Sequence, residues 1–221
     1  MVSSESPSTY EVLRQQMVTS QLRARGIGDE RVLEAMSRVP RHEFAPERFR
    51  DQAYEDHPLP IGEGQTISQP YIVAIMLQAL KLSPSDKVME VGTGSGYVTA
   101  LLAELTGDVM SIERHASLAE SARWLLETLG YENVKVVTGN GWQGCPEAAP
   151  YSAIVVSAAA PEMPRALVAQ LAEGGRMIIP VGGGDSQQLQ LMRKQNGQVT
   201  IELHEMCRFV PLVPSEPGTS P

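Results

Sequence analysis

Positive charge, cysteine and long apolar runs are all scarce in this sequence, and each scarcity excludes something. The 221 residues carry 18 Lys and Arg against 26 Asp and Glu, a formal net charge of −8. A nucleic-acid binder shows a basic footprint, so that class of partner is not expected. Two cysteines, Cys145 and Cys207, are too few for a disulfide framework and lack metal-ligand spacing. They suit a reducing compartment. No apolar run approaches the ~20 residues of a membrane span. The first residues, MVSSESPSTYE, have no basic region followed by an apolar core. A cytoplasmic protein, with no membrane attachment, is expected. The two ends, 1–8 and 214–221, are rich in Ser, Pro and Gly, can bury little, and are expected to be disordered.

Strand and helix patterns fill the rest. From Tyr10 to Arg25, Val12, Leu13, Met17 and Leu22 fall at helical spacings, and Gly26 stops the run. Asp29 can cap a second short helix that Pro40 ends. Between Pro40 and Gln69 the pattern is irregular and reads as extended loop, long enough to suggest a task. Pro70 opens an apolar helix. After Asp86, β-rich runs alternate with helical ones: KVMEV, DVMSIE, VKVVTG, YSAIVVS and GGRMIIPVG, with a helix near Pro164 to Leu171 before the last. Such alternation argues a mostly parallel, doubly wound sheet. Two alternating strands then flank Asn196-Gly197, a hairpin signal that puts an antiparallel pair on the sheet edge. The expected architecture is one α/β domain over 1–221, with helices and a covering loop in 1–84 and a Rossmann-like core in 85–213.

The stretch VMEVGTGSGY carries the first chemistry. Glycines at 92, 94 and 96 follow a strand and precede a helix, where backbone must approach a ligand and helix N–H groups are unpaired. Glu113 ends the next strand, 21 residues after Gly92, placed to accept from ribose hydroxyls. A dinucleotide fingerprint reads G-x-G-x-x-G. Here it is G-x-G-x-G with Glu90 two residues ahead, which resembles the S-adenosylmethionine (SAM) site of class I methyltransferases. SAM has no pyrophosphate to cradle, and an acid near the loop suits its ammonium group. Glu90, Gly92, Thr93, Gly94, Gly96 and Glu113 are therefore the candidate cofactor residues.

Several methyl-acceptor signatures are missing. The fourth strand of the alternation ends VSAAAPEMP, without the Pro-Pro-aromatic motif of base-amine methylation. The Pro-Cys pair of cytosine-carbon enzymes occurs only reversed, as Cys145-Pro146, and no carboxylate cluster for a catalytic metal is evident. No general base lies near that strand. A carboxylate, ionised at pH 7, needs none. Orientation in a closed, dry site then supplies most of the acceleration.

The segment LPIGEGQTISQPYIVAIM, with VPRHEF, YEDHPLP, EVGTGSGY, SAAAPEMP and RFVPLV in order from Leu13 to Val213, resembles the protein-L-isoaspartate (D-aspartate) O-methyltransferase family. The resemblance implies a class I methyltransferase fold and SAM as methyl donor, with S-adenosyl-L-homocysteine as product. It implies esterification of the free α-carboxylate of L-isoaspartyl residues in damaged proteins and peptides, beginning repair through a succinimide. It implies an active-site role for Ser68, with Gln65, Thr66, Ile67 and Ser68 against SAM. Ser157, Ala158, Ala159 and Val210 are implied to shape the substrate pocket. Asn140 and Gly141 stand in the adenine-binding turn, where Asn140 replaces the family's Asp. The residues alone leave Ser68 readable as a cap for the helix at Pro70. A small-molecule O-methyltransferase or a SAM-binding module without catalysis would share the fold, and GQTISQP speaks against both. Asp56 is a candidate for ordering the covering loop; His42 and His57 read as solvated. A monomer is expected.

Overall fold

The computed structural model describes residues 8–213. The disorder expected of the ends falls outside them except at Ser8, whose Oγ accepts from the Glu11 N–H and caps the first helix.

That helix, α1, spans Thr9–Gln16 and continues as a π-turn over Met17–Leu22 and a 3-10 turn over Arg23–Arg25. The continuous pattern expected from Tyr10 to Arg25 is thus one rod with three windings. Met17 and Leu22 are both fully buried although five residues apart; a π-turn brings such a pair onto one face, where an α-turn would separate them. Val12, on the outer side, is exposed. Gly26 ends the rod at φ 93°. Helix α2 (Glu30–Arg38) is capped by Asp29, whose carboxylate accepts from the Arg31 and Val32 N–H groups. It buries Val32, Leu33, Ala35 and Met36.

The region read as bare loop between Pro40 and Gln69 contains short elements instead. Two 3-10 turns, Arg41–Phe44 and Glu47–Gln52, lead into a hairpin of β1 (Leu59–Gly62) and β2 (Gln65–Ile67). Strands of four and three residues are too short to show alternation. Helix α3 (Pro70–Leu80) follows with Pro70 in its first turn.

The core sheet holds β3 (Lys87–Val91), β4 (Asp108–Glu113), β5 (Val134–Thr138), β6 (Tyr151–Val156), β7 (Leu171–Val181), β8 (Gln187–Gln195) and β9 (Gln198–Cys207), in the order β5-β4-β3-β6-β7-β8-β9. The first five pair in parallel and the last two antiparallel. Asn196 and Gly197, at φ 53° and 70°, make the turn between β8 and β9. Helices α4 (Tyr97–Leu105) and α5 (Ala116–Thr128) follow β3 and β4. Helix α6 is shorter than its pattern suggested, Arg165–Ala169, because β7 already begins at Leu171. One apolar core packs α1 to α4 against one sheet face, and a second, around Met89, Ile154 and Met177, fills the other. Strand order reverses between β3 and β6, and crevices at such a point, at the carboxyl ends of the strands, are where α/β sheets bind ligands. Among the described residues, no helix is long and apolar enough to cross a membrane.

Candidate active site

The loop after β3 lies at this reversal. Gly92, at φ 94°, turns the chain off the sheet, and its N–H donates to the Ile112 carbonyl at 2.8 Å. A Cβ at Gly92 would stand 3.5 Å from Ser157 Cβ and narrow the crevice between β3 and β6. Glu113 is nearly buried at the end of β4. Its Oε2 accepts from the Gly94 N–H and its Oε1 from the His115 N–H, each at 2.9 Å. Each oxygen keeps acceptor capacity for a further donor, as two ribose hydroxyls require.

A cleft runs over this loop, lined by Gly92 to Ser95, Tyr97, Glu113 and His115 on one side. The β2 segment Gln65 to Ser68 covers it, and Gly141, Ser157, Ala158 and Val210 close its far wall. Glu90, Gly96, Asn140 and Ala159 lie outside that lining. For Glu90 this corrects the expectation of an acid facing a bound cation. Its side chain is wholly buried beneath the loop, where Oε2 accepts from Thr99 Oγ1 at 2.5 Å and Ser111 Oγ at 2.6 Å. Burial pushes its pKa up to about 8, against the opposing hydrogen bonds. Burial disfavours the charged form that would pair with a cation, and the link of Glu90 to the cleft is indirect, through Ser111 and Thr93. Gly96 serves packing: a Cβ there would meet Leu126 Cδ1 of α5 at 3.3 Å. Asn140 spends its amide oxygen on the Trp142 N–H at 3.0 Å, which shapes the turn that presents Gly141. Ala159 braces the far wall, donating to the Val210 carbonyl at 2.8 Å and accepting from the Leu212 N–H at 2.7 Å.

A second cleft opens on the other side of β2, lined by Pro58, Gln69, Ile72 and Phe209 among others. Thr66, Ser68, Ser157 and Val210 line both clefts. These four carry no ionisable side chain. Ser68 is not a helix cap, since the N-cap of α3 is Gln69 and makes no side-chain cap bond. The covering segment is tied down by Asp56. Its carboxylate pairs with Arg25, accepts from Gln69 Nε2 at 2.8 Å and lies 3.4 Å from the Tyr71 N–H. His57 lines neither cleft and bonds to Glu55 and the Pro58 carbonyl; His42 is held by Tyr54 Oη. Sequence reasoning missed Tyr97 and His115 in the first cleft. Tyr97 directly follows the glycine run and His115 comes two residues after Glu113, so adjacency was the available signal.

A doubly wound sheet of this order, a glycine loop at its switch point and an acid ending the neighbouring strand define a class I SAM-dependent methyltransferase. The family model for "Protein-L-isoaspartate(D-aspartate) O-methyltransferase" matches residues 13–217. The chain belongs to that family. It is 53% identical over 221 residues to a protein-L-isoaspartate O-methyltransferase of Koribacter versatilis, covering 100% of this chain and 99% of the relative. It is 55% identical to one from Methanoculleus marisnigri, covering 90% and 91%. A solved Plasmodium falciparum structure described as a putative protein-L-isoaspartate O-methyltransferase in complex with S-adenosyl-L-homocysteine superposes with a TM-score of 0.80 at 30% identity, covering 90% of this chain and 98% of that one. Another protein-L-isoaspartate O-methyltransferase gives 0.81 at 30% identity, where the match covers 90% of this chain and 65% of that longer chain.

Proposed function

We propose that the protein esterifies the free α-carboxylate of L-isoaspartyl residues in damaged proteins and peptides, with SAM as methyl donor. The carrying observation is the junction of the two clefts at Thr66, Ser68, Ser157 and Val210, none of whose side chains can act as a base. Such a junction suits a nucleophile that is already ionised.

The residues of the first cleft fit SAM. Glu113 has acceptor capacity for both ribose hydroxyls, and the bare surface at Gly92 leaves the crevice open toward Ser157. Thr93, Gly94, Gln65, Thr66 and Ile67 would enclose the rest, with Gly141 at the adenine end. When bound, SAM supplies an electrophilic methyl group on a sulfonium. Ser68 Oγ holds the substrate carboxylate and aims one oxygen, while the β2 segment excludes water, which would otherwise favour the separated charges. Val210 and the Ser157-Ala158-Ala159 turn hold the flanking chain extended. The ester carbonyl can expel methanol where a carboxylate has no comparable leaving group, so the neighbouring peptide nitrogen can attack it, lose its proton and close a succinimide.

The negative net charge favours a polypeptide substrate over nucleic acid, and the cytoplasm is the compartment this reading implies. One chain supplies every residue of the junction, so a monomer suffices. The test is transfer of labelled methyl to an isoaspartyl peptide and not to its normal aspartyl twin; equal labelling of both would refute the assignment.

A further inference from the structure

Arg41 is the largest fully buried side chain among the described residues. It begins the 3-10 turn after α2, inside the VPRHEF segment, and reaches toward the active site from behind. Its Nε donates to the Ala53 carbonyl at 2.7 Å and its Nη2 to the Ser68 carbonyl at 2.9 Å. The guanidinium carbon lies 4.7 Å from the centre of the Tyr97 ring, and Tyr97 lines the cofactor cleft. Arg41 Nη1 and Tyr97 Oη are both buried without a partner. Both side-chain acceptors of Arg41 are carbonyls, and none of the ion pairs among the described residues involves it.

A buried cation with no carboxylate in direct contact is costly; Asp56 acts on it only from a distance, so a positive field remains where it stands. That field is directed at the peptide joining Ser68 to Gln69. The carbonyl of this peptide is gripped by Arg41; its N–H belongs to Gln69 and points the opposite way across the peptide plane. Polarising the carbonyl strengthens the donor on the far side. Ser68 and Gln69 both line the substrate cleft.

We propose that Arg41 is the positioning residue for the substrate carboxylate: it fixes the Ser68–Gln69 peptide and sets a buried positive charge behind it, so that the junction accepts an anion in preference to a neutral group of the same shape. The inference rests on the isoaspartyl reading and adds the source of the site's preference for a carboxylate. Arg41 touches neither substrate nor methyl donor, and its influence passes through the Ser68 backbone and the field.

The test compares two peptides of one sequence, one with an isoaspartyl α-carboxylate and one with the α-carboxamide in its place. Binding of each is measured by calorimetry on protein loaded with S-adenosyl-L-homocysteine. Parent protein is expected to prefer the carboxylate by about tenfold or more, the scale of one partly desolvated charge contact. In Arg41→Met the preference is expected to fall at least about fivefold toward unity. Arg41→Lys, which keeps the charge and loses the planar fork, is expected to retain an intermediate preference. A variant that binds S-adenosyl-L-homocysteine normally yet keeps the parental preference would overturn the proposal. So would failure of both variants to bind S-adenosyl-L-homocysteine, which would make Arg41 a folding residue. Failure of the isoaspartyl reading itself would show separately, as a parent protein that does not methylate the isoaspartyl peptide.

Discussion

The glycine loop is fixed from within one βαβ unit, whereas the Ser68 strand is held from outside the sheet by side chains. Gly92 and Gly94 hydrogen-bond to the end of β4, so shifting the loop breaks its bonds to a core strand. Strand β2 is three residues long and pairs only with β1. It keeps its place through Arg41 at the Ser68 carbonyl and Asp56 at Gln69, contacts 27 and 13 residues away in sequence. The cofactor side is therefore a rigid floor built into the sheet, and the substrate side is a cover pinned at a few points. Damage to the floor should appear as lost cofactor affinity, and damage to the cover as lost chemistry with the cofactor still bound.

The largest effect is expected on the cover. Ser68→Ala should lower methyl transfer by about 10²-fold through misorientation of the carboxylate, with SAM affinity within a few fold of the parent. Because Gln69 and not Ser68 caps α3, the thermal melt should stay unchanged. A steady-state assay beside a melt reads both; a lowered melting temperature with turnover per folded molecule intact would remove Ser68 from the chemistry.

The matching break in the floor is Glu113→Ala. It removes the acceptor for the Gly94 and His115 N–H groups and, in this reading, for both ribose hydroxyls. SAM binding should weaken by about 1.5–3 kcal/mol, the range for hydrogen bonds to a charged group. Calorimetric titration measures it, and an unchanged affinity would sink the ribose assignment.

A subtler difference lies beneath the floor. Glu90 has a folded pKa of about 8 against an ordinary value of 4.5, because burial disfavours its charged form. The folded protein thus holds a proton that the unfolded chain releases between those values. The stability tied to that proton is full below pH 4.5 and is lost as pH rises toward 8. Glu90→Gln cannot titrate, so its melting temperature should fall less than the parent's between pH 5 and 8. Parallel curves for the two proteins would mean that Glu90 is ionised in the fold.

The same contrast explains what the sequence made legible. The glycine run, Glu113 and the strand–helix alternation are local or periodic, and each has a physical reason that needs no second segment of the chain. The cover has no such period. Its hairpin strands are too short to alternate, and the Arg41 to Ser68 bond depends on how two irregular segments pack. Resemblance pointed to Ser68, Ser157 and Val210, and the structure shows them at one junction. Glu90 was misplaced because its position in the motif says nothing of which way the side chain turns. At the end of β3 it turns inward to Thr99 and Ser111, under the loop.

The most direct test of the central claim, methyl transfer by orientation of an already ionised α-carboxylate, is kcat/KM for matched isoaspartyl and aspartyl peptides. A normal aspartyl side chain carries its carboxylate one methylene further from the backbone. A site that holds the flanking chain extended should then misplace the attacking oxygen by about 1 Å, which can cost around 10²-fold. A ratio above about 10² in favour of the isoaspartyl peptide is expected; comparable values for the two isomers would contradict catalysis by orientation.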